Sequence, residues 1–341
     1  MAQDRRISIK DVAREADVSV TTVSHALNDK GRLNPDTRQR VRDVAERLGY
    51  RPNPAARSLV SGKTGLIAVI PSLPKEVRVS FSDFGYFTEL IGAATDVAVS
   101  RERALVVAPP LSSDFVWERV PLDGVIVIDP FVGDAGLPVL RERGIPFVTV
   151  SADPDHPGDD ATVECEARDC TRAVFDHFVE RGARRVGYLS VPPMTAFLAS
   201  SADAYESWCA EHGQEPMTET LDLAELDRDE AGAMVRSVER LFDRTEAPDA
   251  VYVPLEVVGV EAHRAMLGMR LAIPDDVLLA TTHDRGRALT ANPAITTIEW
   301  DYREVGRRAA SLLIDIVEGT RSAPQLEVVP GRLVPRASTA R

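Results

Sequence analysis

Residues Ser19 to Asn28 carry the side chains that could touch another molecule most closely. At 100° per residue, Val20, Thr21, Ser24 and His25 fall on one arc of a helix about 140° wide. Val23, Ala26 and Leu27 take the opposite side, where a protein core would cover them. The outer arc is short-chained, which suits the floor of a DNA major groove. Val20 and Thr21 offer methyl groups to a thymine methyl, and His25 can donate to guanine N7 or O6. Ser19, Thr22, Ser24 and Asn28 supply donors for phosphates, helped by the positive end of the helix. A plain three-helix bundle with a polar face is the alternative reading of the same pattern.

A second set lies downstream, in Tyr50-Arg51-Pro52-Asn53-Pro54-Ala55-Ala56-Arg57-Ser58-Leu59. Asn53 can cap a helix that Pro54 opens, but the helix has room for only about six residues and is unstable alone. Two copies packed together would present small Ala55 and Ala56 faces to a minor groove, with Asn53 and Arg57 in the same minor-groove set. Leu59 would then wedge between base steps. An ordinary linker is the competing interpretation.

These residues need elements to hold them. Ile9, Val12, Ala13 and Ala16 repeat at helical spacing, and Asp17-Val18 breaks the pattern. Ser19 sits at an N-cap position before a second helix over 20–27. Asn34-Pro35 opens a third helix, with Val41, Val44, Ala45 and Leu48 on one face and Gly49 at its end. Two short helices joined by a tight turn and braced by a third make a helix-turn-helix unit.

The segments Ile7-Ser8-Ile9-Lys10-Asp11-Val12-Ala13, Val18-Ser19-x-x-Thr22-Val23-Ser24-x-Ala26-Leu27-Asn28 and Leu48-Gly49-Tyr50-Arg51-Pro52-Asn53-Pro54-Ala55-Ala56 resemble the LacI/GalR family of bacterial transcription regulators. The resemblance implies that Val20, Thr21 and His25 read bases and that Leu59 is the minor-groove lever of a hinge helix. Two residues depart from the pattern. Asp17 stands where the turn usually has glycine, and Asp tolerates left-handed backbone better than most residues. His25 stands where arginine is usual, which alters the half-site preferred.

The chain has 341 residues and a net charge of −13, unevenly spread. Residues 1–65 hold 13 Lys and Arg against 8 Asp and Glu, a net of +5, which leaves the remainder at −18. A basic head on an acidic body implies one module that meets a polyanion and one that does not. No apolar run approaches the length of a membrane span and the amino-terminal residues carry no apolar signal core, so a cytoplasmic protein with no membrane partner is expected. Three cysteines without a Cys-x-x-Cys pair argue against a disulfide scaffold or cysteine zinc site, and no metal or cofactor is expected. Ser61-Gly62-Lys63-Thr64 imitates the end of a phosphate-binding loop, but Arg57 occupies the required glycine and a strand follows instead of preceding it. No nucleophile elbow, dinucleotide glycine motif or His-Glu-x-x-His occurs, which excludes the commonest enzyme signatures.

From residue 65 onward, apolar runs at 66–70, 104–108, 124–128, 146–150, 186–190, 250–253 and 277–281 alternate with helical patterns near 86–100, 135–143, 168–181, 202–212, 229–244, 256–268 and 302–318. Such alternation predicts parallel sheets covered by helices. The expected organisation is an all-α helix-turn-helix domain over 1–50, a hinge over 51–64 and an α/β body over 65–341. The body divides into lobe one, about 65–153 and 291–320, and lobe two, about 162–288 and 324–341. The Pro- and Asp-rich segment 154–166 is expected to cross between them, with further crossings near 286–295 and 319–324.

The body resembles the two-lobed periplasmic-binding-protein-like sensor of the same family, with two parallel Rossmann-like sheets. Gly182-Ala183-Arg184-Arg185-Val186, Ile273-Pro274-Asp275-Asp276-Val277 and Thr296-Thr297-Ile298 carry that likeness. The resemblance implies a small-molecule effector between the lobes, yet the pocket departs from type. Ser151 replaces a common aspartate and Ser201 an arginine. Leu255-Glu256 replaces Asn-Asp, Thr281-Thr282-His283-Asp284 replaces Gly-aromatic-Asp-Asp, and Trp300 takes a polar place. A cleft without those groups would leave sugar hydroxyls unpaired. It should favour a less hydroxylated ligand, aromatic or cationic, stacked by Phe84, Tyr86, Phe87 and Trp300, with Glu256 and Asp284 as cation partners. Ser72, Ser151, Ser201 and His283 complete the expected lining. A core role for these aromatics, with an unoccupied cleft, is the alternative. The function expected is that of a repressor, a homodimer on palindromic double-stranded DNA. The competing class is a sensor or enzyme whose basic head serves assembly.

Overall fold

The computed structural model describes residues 7–27, 31–51, 63–72, 85–108, 120–283 and 286–341. They form two compact units, Met1–Thr64 and Gly65–Arg341.

The head is built from α1 (Ile9–Glu15), α2 (Val20–Leu27) and α3 (Pro35–Arg47). Each start is set by its own side chain. The Asp11 carboxylate accepts from Ser8 N at 3.0 Å and from the Ser8 hydroxyl at 2.7 Å. Ser19 Oγ accepts from Thr22 N at 3.0 Å, and Asn34 Oδ1 accepts from Asp36 N at 2.9 Å, one residue past Pro35. These bonds satisfy N–H groups that a helix start leaves without partners. Asp17 adopts φ +53° in the turn, the left-handed conformation its position requires. Val12, Val23, Ala26 and Val41 close the core with no exposed surface.

The body holds two six-stranded sheets. Sheet one contains β1 (Leu66–Pro71), β2 (Ala104–Val107), β3 (Gly124–Ile128), β4 (Phe147–Val150), β5 (Ala161–Cys165) and β11 (Gln325–Val329), in the order β11-β5-β4-β3-β1-β2, all parallel. Sheet two contains β6 (Val186–Ser190), β7 (Met217–Thr220), β8 (Ala250–Val253), β9 (Leu278–Thr282), β10 (Thr296–Trp300) and β12 (Gly331–Val334), in the order β12-β10-β9-β8-β6-β7. Its edge strand β12 runs antiparallel to β10, so the second sheet is not wholly parallel as expected.

Helices α4 (Gly85–Ser100), α5 (Gly136–Glu142) and α12 (Tyr302–Glu318) belong with sheet one. Helices α6 (Ala167–Glu180), α7 (Ala196–His212), α8 (Leu223–Arg228), α9 (Glu230–Phe242), α10 (Glu256–Gly268) and α11 (Arg287–Thr290) belong with the second lobe. No helix among the described residues is long and apolar enough to cross a membrane.

The lobe boundaries differ from the expected ones. Strand β5 lies in sheet one, beside β4, so 151–160 is a loop within the first lobe and the chain crosses after it at Glu166. Strand β10 lies in sheet two and β11 in sheet one, so the return crossings fall at Asp301 and Pro330. The reason is chemical. β5 alternates apolar Ala161 and Val163 with Thr162 and Glu164, so it shows no continuous apolar run. The Thr162 hydroxyl instead meets that of Thr149, 2.9 Å away on β4, inside the sheet.

Candidate functional site

In the head, helix α2 divides its side chains as its periodicity requires. Val23 and Ala26 are wholly buried, Leu27 is partly covered, and Val20, Thr21 and His25 are exposed. Val20, at the start of the helix, keeps 41% of its surface exposed, so its methyl groups remain available for contact. Thr22 and Ser24 are half-buried and Ser19 is exposed; the Ser19 and Thr22 hydroxyls lie 2.9 Å apart at the helix start. Asn28 lies outside the described residues, as do the hinge residues Asn53, Ala56, Arg57 and Leu59.

In the body, the C-terminal ends of the parallel strands face the space between the lobes, where open α/β sheets bind ligands. Three of the chain's non-glycine residues with left-handed backbone sit there, each directly after a strand. Asp129 (φ +51°) follows β3, Ser151 (φ +71°) follows β4, and His283 (φ +58°) follows β9. Strained backbone of this kind persists where the surroundings over-determine it, and it concentrates at binding sites.

Around these residues the structure assembles a ring cluster. Tyr86, at the start of α4, has its ring centroid 4.9 Å from Tyr302, at the start of α12, and 5.3 Å from His283. His283 lies 4.8 Å from Tyr302 and 5.4 Å from Trp300, edge-on to both. Trp300 in turn meets Phe197 edge-on at 5.8 Å. The Tyr86 hydroxyl donates to the Asp129 carboxylate. Asp129 keeps some solvent contact but lies deep among protein atoms. Burial pushes its carboxyl up to about 6, against the opposing effect of the Tyr86 hydroxyl.

The expected lining is only partly brought together. Tyr86, His283 and Trp300 meet, while Phe84 and Asp284 lie outside the described residues. Ser151 is half-buried at the end of β4, its N–H donating to Val163 O at 2.9 Å. Glu256 opens α10 and is 8% exposed. Ser72 is buried and donates to the Asp134 carboxylate, so its hydroxyl is engaged within the first lobe. Two residues are corrected. Phe87 points into the sheet-one core, because it lies on the same face of α4 as Leu90 and Ala94. Ser201 has no exposed surface: it lies on the inner face of α7 with Leu198 and Tyr205, its Oγ 3.3 Å from Thr171 Oγ1. A serine is too short to reach from that seam, as a long guanidinium would.

The sequence reading missed Asp129 and Tyr302. Both were findable, since Asp129 directly follows the apolar run 124–128 and Tyr302 opens a helix two residues after Trp300. The hydroxyls of Thr281 and Thr282 are committed elsewhere, donating at 2.8 Å to the carbonyls of Val253 and Pro254. Cys165 and Cys170 are free thiols whose ionisation burial pushes up, the behaviour of inert core cysteines.

The raised Asp129 value fixes a sign. Its folded-state value lies above the ordinary 3.8, so the fold favours the protonated form. That contribution is complete below about pH 4 and is lost as pH rises through about 6. Asp129→Asn, which resembles the protonated state, should therefore come closest to the wild type at about pH 4 and exceed it by about 1–2 kcal/mol at about pH 7.5. Urea unfolding of both proteins across pH 4–8 checks this; parallel curves would exclude it.

Comparison with known proteins places both units. Residues 8–53 match the bacterial regulatory proteins of the lacI family, and residues 175–339 match the periplasmic binding protein-like domain. The chain is 26% identical to the HTH-type transcriptional regulator CelR of Thermobifida fusca, over 99% of this chain and 100% of the relative. It is 27% identical to the HTH-type transcriptional repressor PurR of Escherichia coli O139:H28, over 98% and 97%. Its fold superimposes with a TM-score of 0.75 on the lac repressor dimer bound to operator and the anti-inducer ONPF, at 20% identity over 98% of this chain and 99% of that one. The chain thus joins, on one polypeptide, a capped three-helix head of the lacI family of bacterial regulatory proteins to a two-sheet periplasmic binding protein-like body.

Proposed function

We propose that this chain is a sequence-specific DNA-binding transcriptional regulator, a repressor that acts as a homodimer on a near-palindromic operator. The observation that carries the proposal is the division of α2, whose buried Val23 and Ala26 fix the helix while Val20, Thr21 and His25 remain at the surface. A helix held this way presents base-reading groups to the major groove. Ser19, Thr22, Ser24 and Asn28 are assigned to phosphates, and Asn53, Ala56, Arg57 and Leu59 to the central minor groove. The family relatives, a named regulator and a named repressor, support the same reading, as does the likeness to a dimer bound to operator.

The cleft is assigned to a small-molecule effector, with Tyr86, Asp129, Ser151, Glu256, His283, Trp300 and Tyr302 around it. Regulation is then a difference in operator affinity between two lobe arrangements. We read the chain as a binding protein and not an enzyme. The direct experiment is selection from a random duplex library at moderate salt: enrichment of a palindrome is expected. Absence of enrichment, with turnover of a metabolite, would favour a sensor or enzyme with a basic assembly head.

A sharper result concerns His25. One ring nitrogen of an imidazole can reach guanine as a single donor, whereas the fork of an arginine would make two donor contacts. His25→Arg should shift the preferred base at one symmetric pair of operator positions, by about 1–3 kcal/mol of discrimination. An unchanged preference in the same selection would remove His25 from the reading set.

A further inference from the structure

One side chain of the second lobe reaches into the first. His283 is anchored in sheet two, where its backbone N–H donates to Ile298 O at 2.8 Å and prolongs the β9–β10 pairing. Its left-handed φ of +58° turns the chain there, and its ring lies among Tyr86, Tyr302 and Trp300. The Tyr302 hydroxyl is 2.8 Å from His283 Nε2. Two of the three rings are first-lobe groups, carried on the starts of α4 and α12, and Tyr86 is tied in turn to Asp129. A ring cluster at the mouth of a binding cleft thus has an occupant already, supplied by the chain itself.

The two lobes also meet at a separate point. Val132 N donates to Met194 O at 2.8 Å, next to a bridge between Phe131 and Thr195. That contact is between main chains and is indifferent to side-chain identity. The His283 contact depends on one imidazole.

We infer that His283 is an interlobe latch, an internal imidazole that pins the second lobe to Tyr86 and Tyr302 and that a cleft ligand must displace. The inference rests on the assignment of the cleft to an effector and adds how that site is regulated. A ligand competing with an internal occupant binds in proportion to the fraction of molecules with the latch open. Displacement exchanges a fixed lobe angle for one set by the ligand, which couples occupancy to the rest of the chain.

Chemical rescue in the full-length protein tests it. His283→Ala leaves a hole shaped for imidazole between Tyr302 and Trp300. The melting temperature should fall by about 2–5 °C, the scale of lost ring contacts and a hydrogen bond in a chain of this size. Excess free imidazole should return at least half of that loss in the variant, by mass action, and leave the wild type unmoved. Tyr302→Phe keeps the ring but removes the hydroxyl, so His283→Ala/Tyr302→Phe should show weaker rescue. Operator affinity of His283→Ala should differ from wild type by about fivefold or more and move back with imidazole.

An unchanged melting temperature overturns the latch, and so does an imidazole shift equal in wild type and variant. Thermal rescue with unchanged operator affinity overturns its regulatory role. If the wild type binds no palindrome, the operator reading fails separately, while the thermal arm still decides whether His283 holds the lobes.

Discussion

Gly306→Ala is expected to destabilise the body by about 3 kcal/mol and lower its melting temperature by about 5–10 °C. Glycine inside a helix costs about 1 kcal/mol relative to alanine, so its presence in α12 needs a compensating contact. That contact is visible. A Cβ at position 306 would lie 2.9 Å from Leu90 C and 3.0 Å from Leu90 Cα, and closer still to the carbonyl oxygen. All three atoms are backbone of α4, so no rotamer change relieves the clash and the helices must separate. Separation opens the layer of Val305, Ala309, Leu312 and Leu313, which are wholly buried between α12 and sheet one. Gly92→Ala, on the same α4, gives the opposite sign. Nothing lies within 4 Å of its Cβ position and the residue is exposed, so the substitution should stabilise by up to about 1 kcal/mol. Thermal and urea unfolding of the two variants decides the matter; equal and opposite small effects, or a neutral Gly306→Ala, would exclude the close-approach account.

The same helix pair links stability to the site. Tyr86 lies four residues before Leu90, and Tyr302 four before Gly306, so one turn along from the closest approach the two tyrosine rings meet, tilted, with centroids 4.9 Å apart. A glycine with no chemistry of its own thus positions both rings of the cleft. Sequence spacing contains that information, but it becomes readable only once α4 and α12 are known to be neighbours.

That distinction runs through the molecule. The head was legible because its determinants are local. Ser19, Asn34-Pro35 and Gly49 mark helix ends by their own chemistry, and Val12, Ala16, Val41 and Val44 repeat at helical spacing. The central strands β1, β3, β6, β8 and β9 were legible as apolar runs, since a strand covered on both faces needs apolar residues throughout. Strands β7 and β11 alternate exposed and covered residues, as sheet edges do, and show no such run. Missing β10 and β11 moved the lobe crossings, because those two strands belong to opposite sheets. Within the cleft, residue type singled out Tyr86, His283 and Trp300. It could not separate Phe87 or Ser201, whose helix faces turn them inward, from residues that line a surface. Asp129 went unseen for the converse reason, since an aspartate after a strand is ordinary until a tyrosine from another element is found on its carboxylate.

Operator affinity should fall at least 10³-fold between 50 mM and 200 mM salt, the behaviour of a protein that neutralises about six or more phosphates. The charge distribution requires a steep slope. The body carries −18 and is repelled by DNA, so attraction has to come from the two basic heads of a dimer, each near +5. Released counterions, not apolar burial, then supply most of the sequence-independent affinity. Two variants separate the contributions. Thr22→Ala removes a neutral hydroxyl assigned to phosphate, so it should weaken binding at every salt concentration and leave the slope unchanged. A chain of residues 65–341 lacks the head and should show no salt-dependent binding at all, because its charge has the wrong sign. Fluorescence anisotropy of a labelled palindrome across a salt series measures both slopes. A shallow slope in the full-length chain, or equal binding by the body alone, would place the DNA contact elsewhere than on α2 and the basic residues around it.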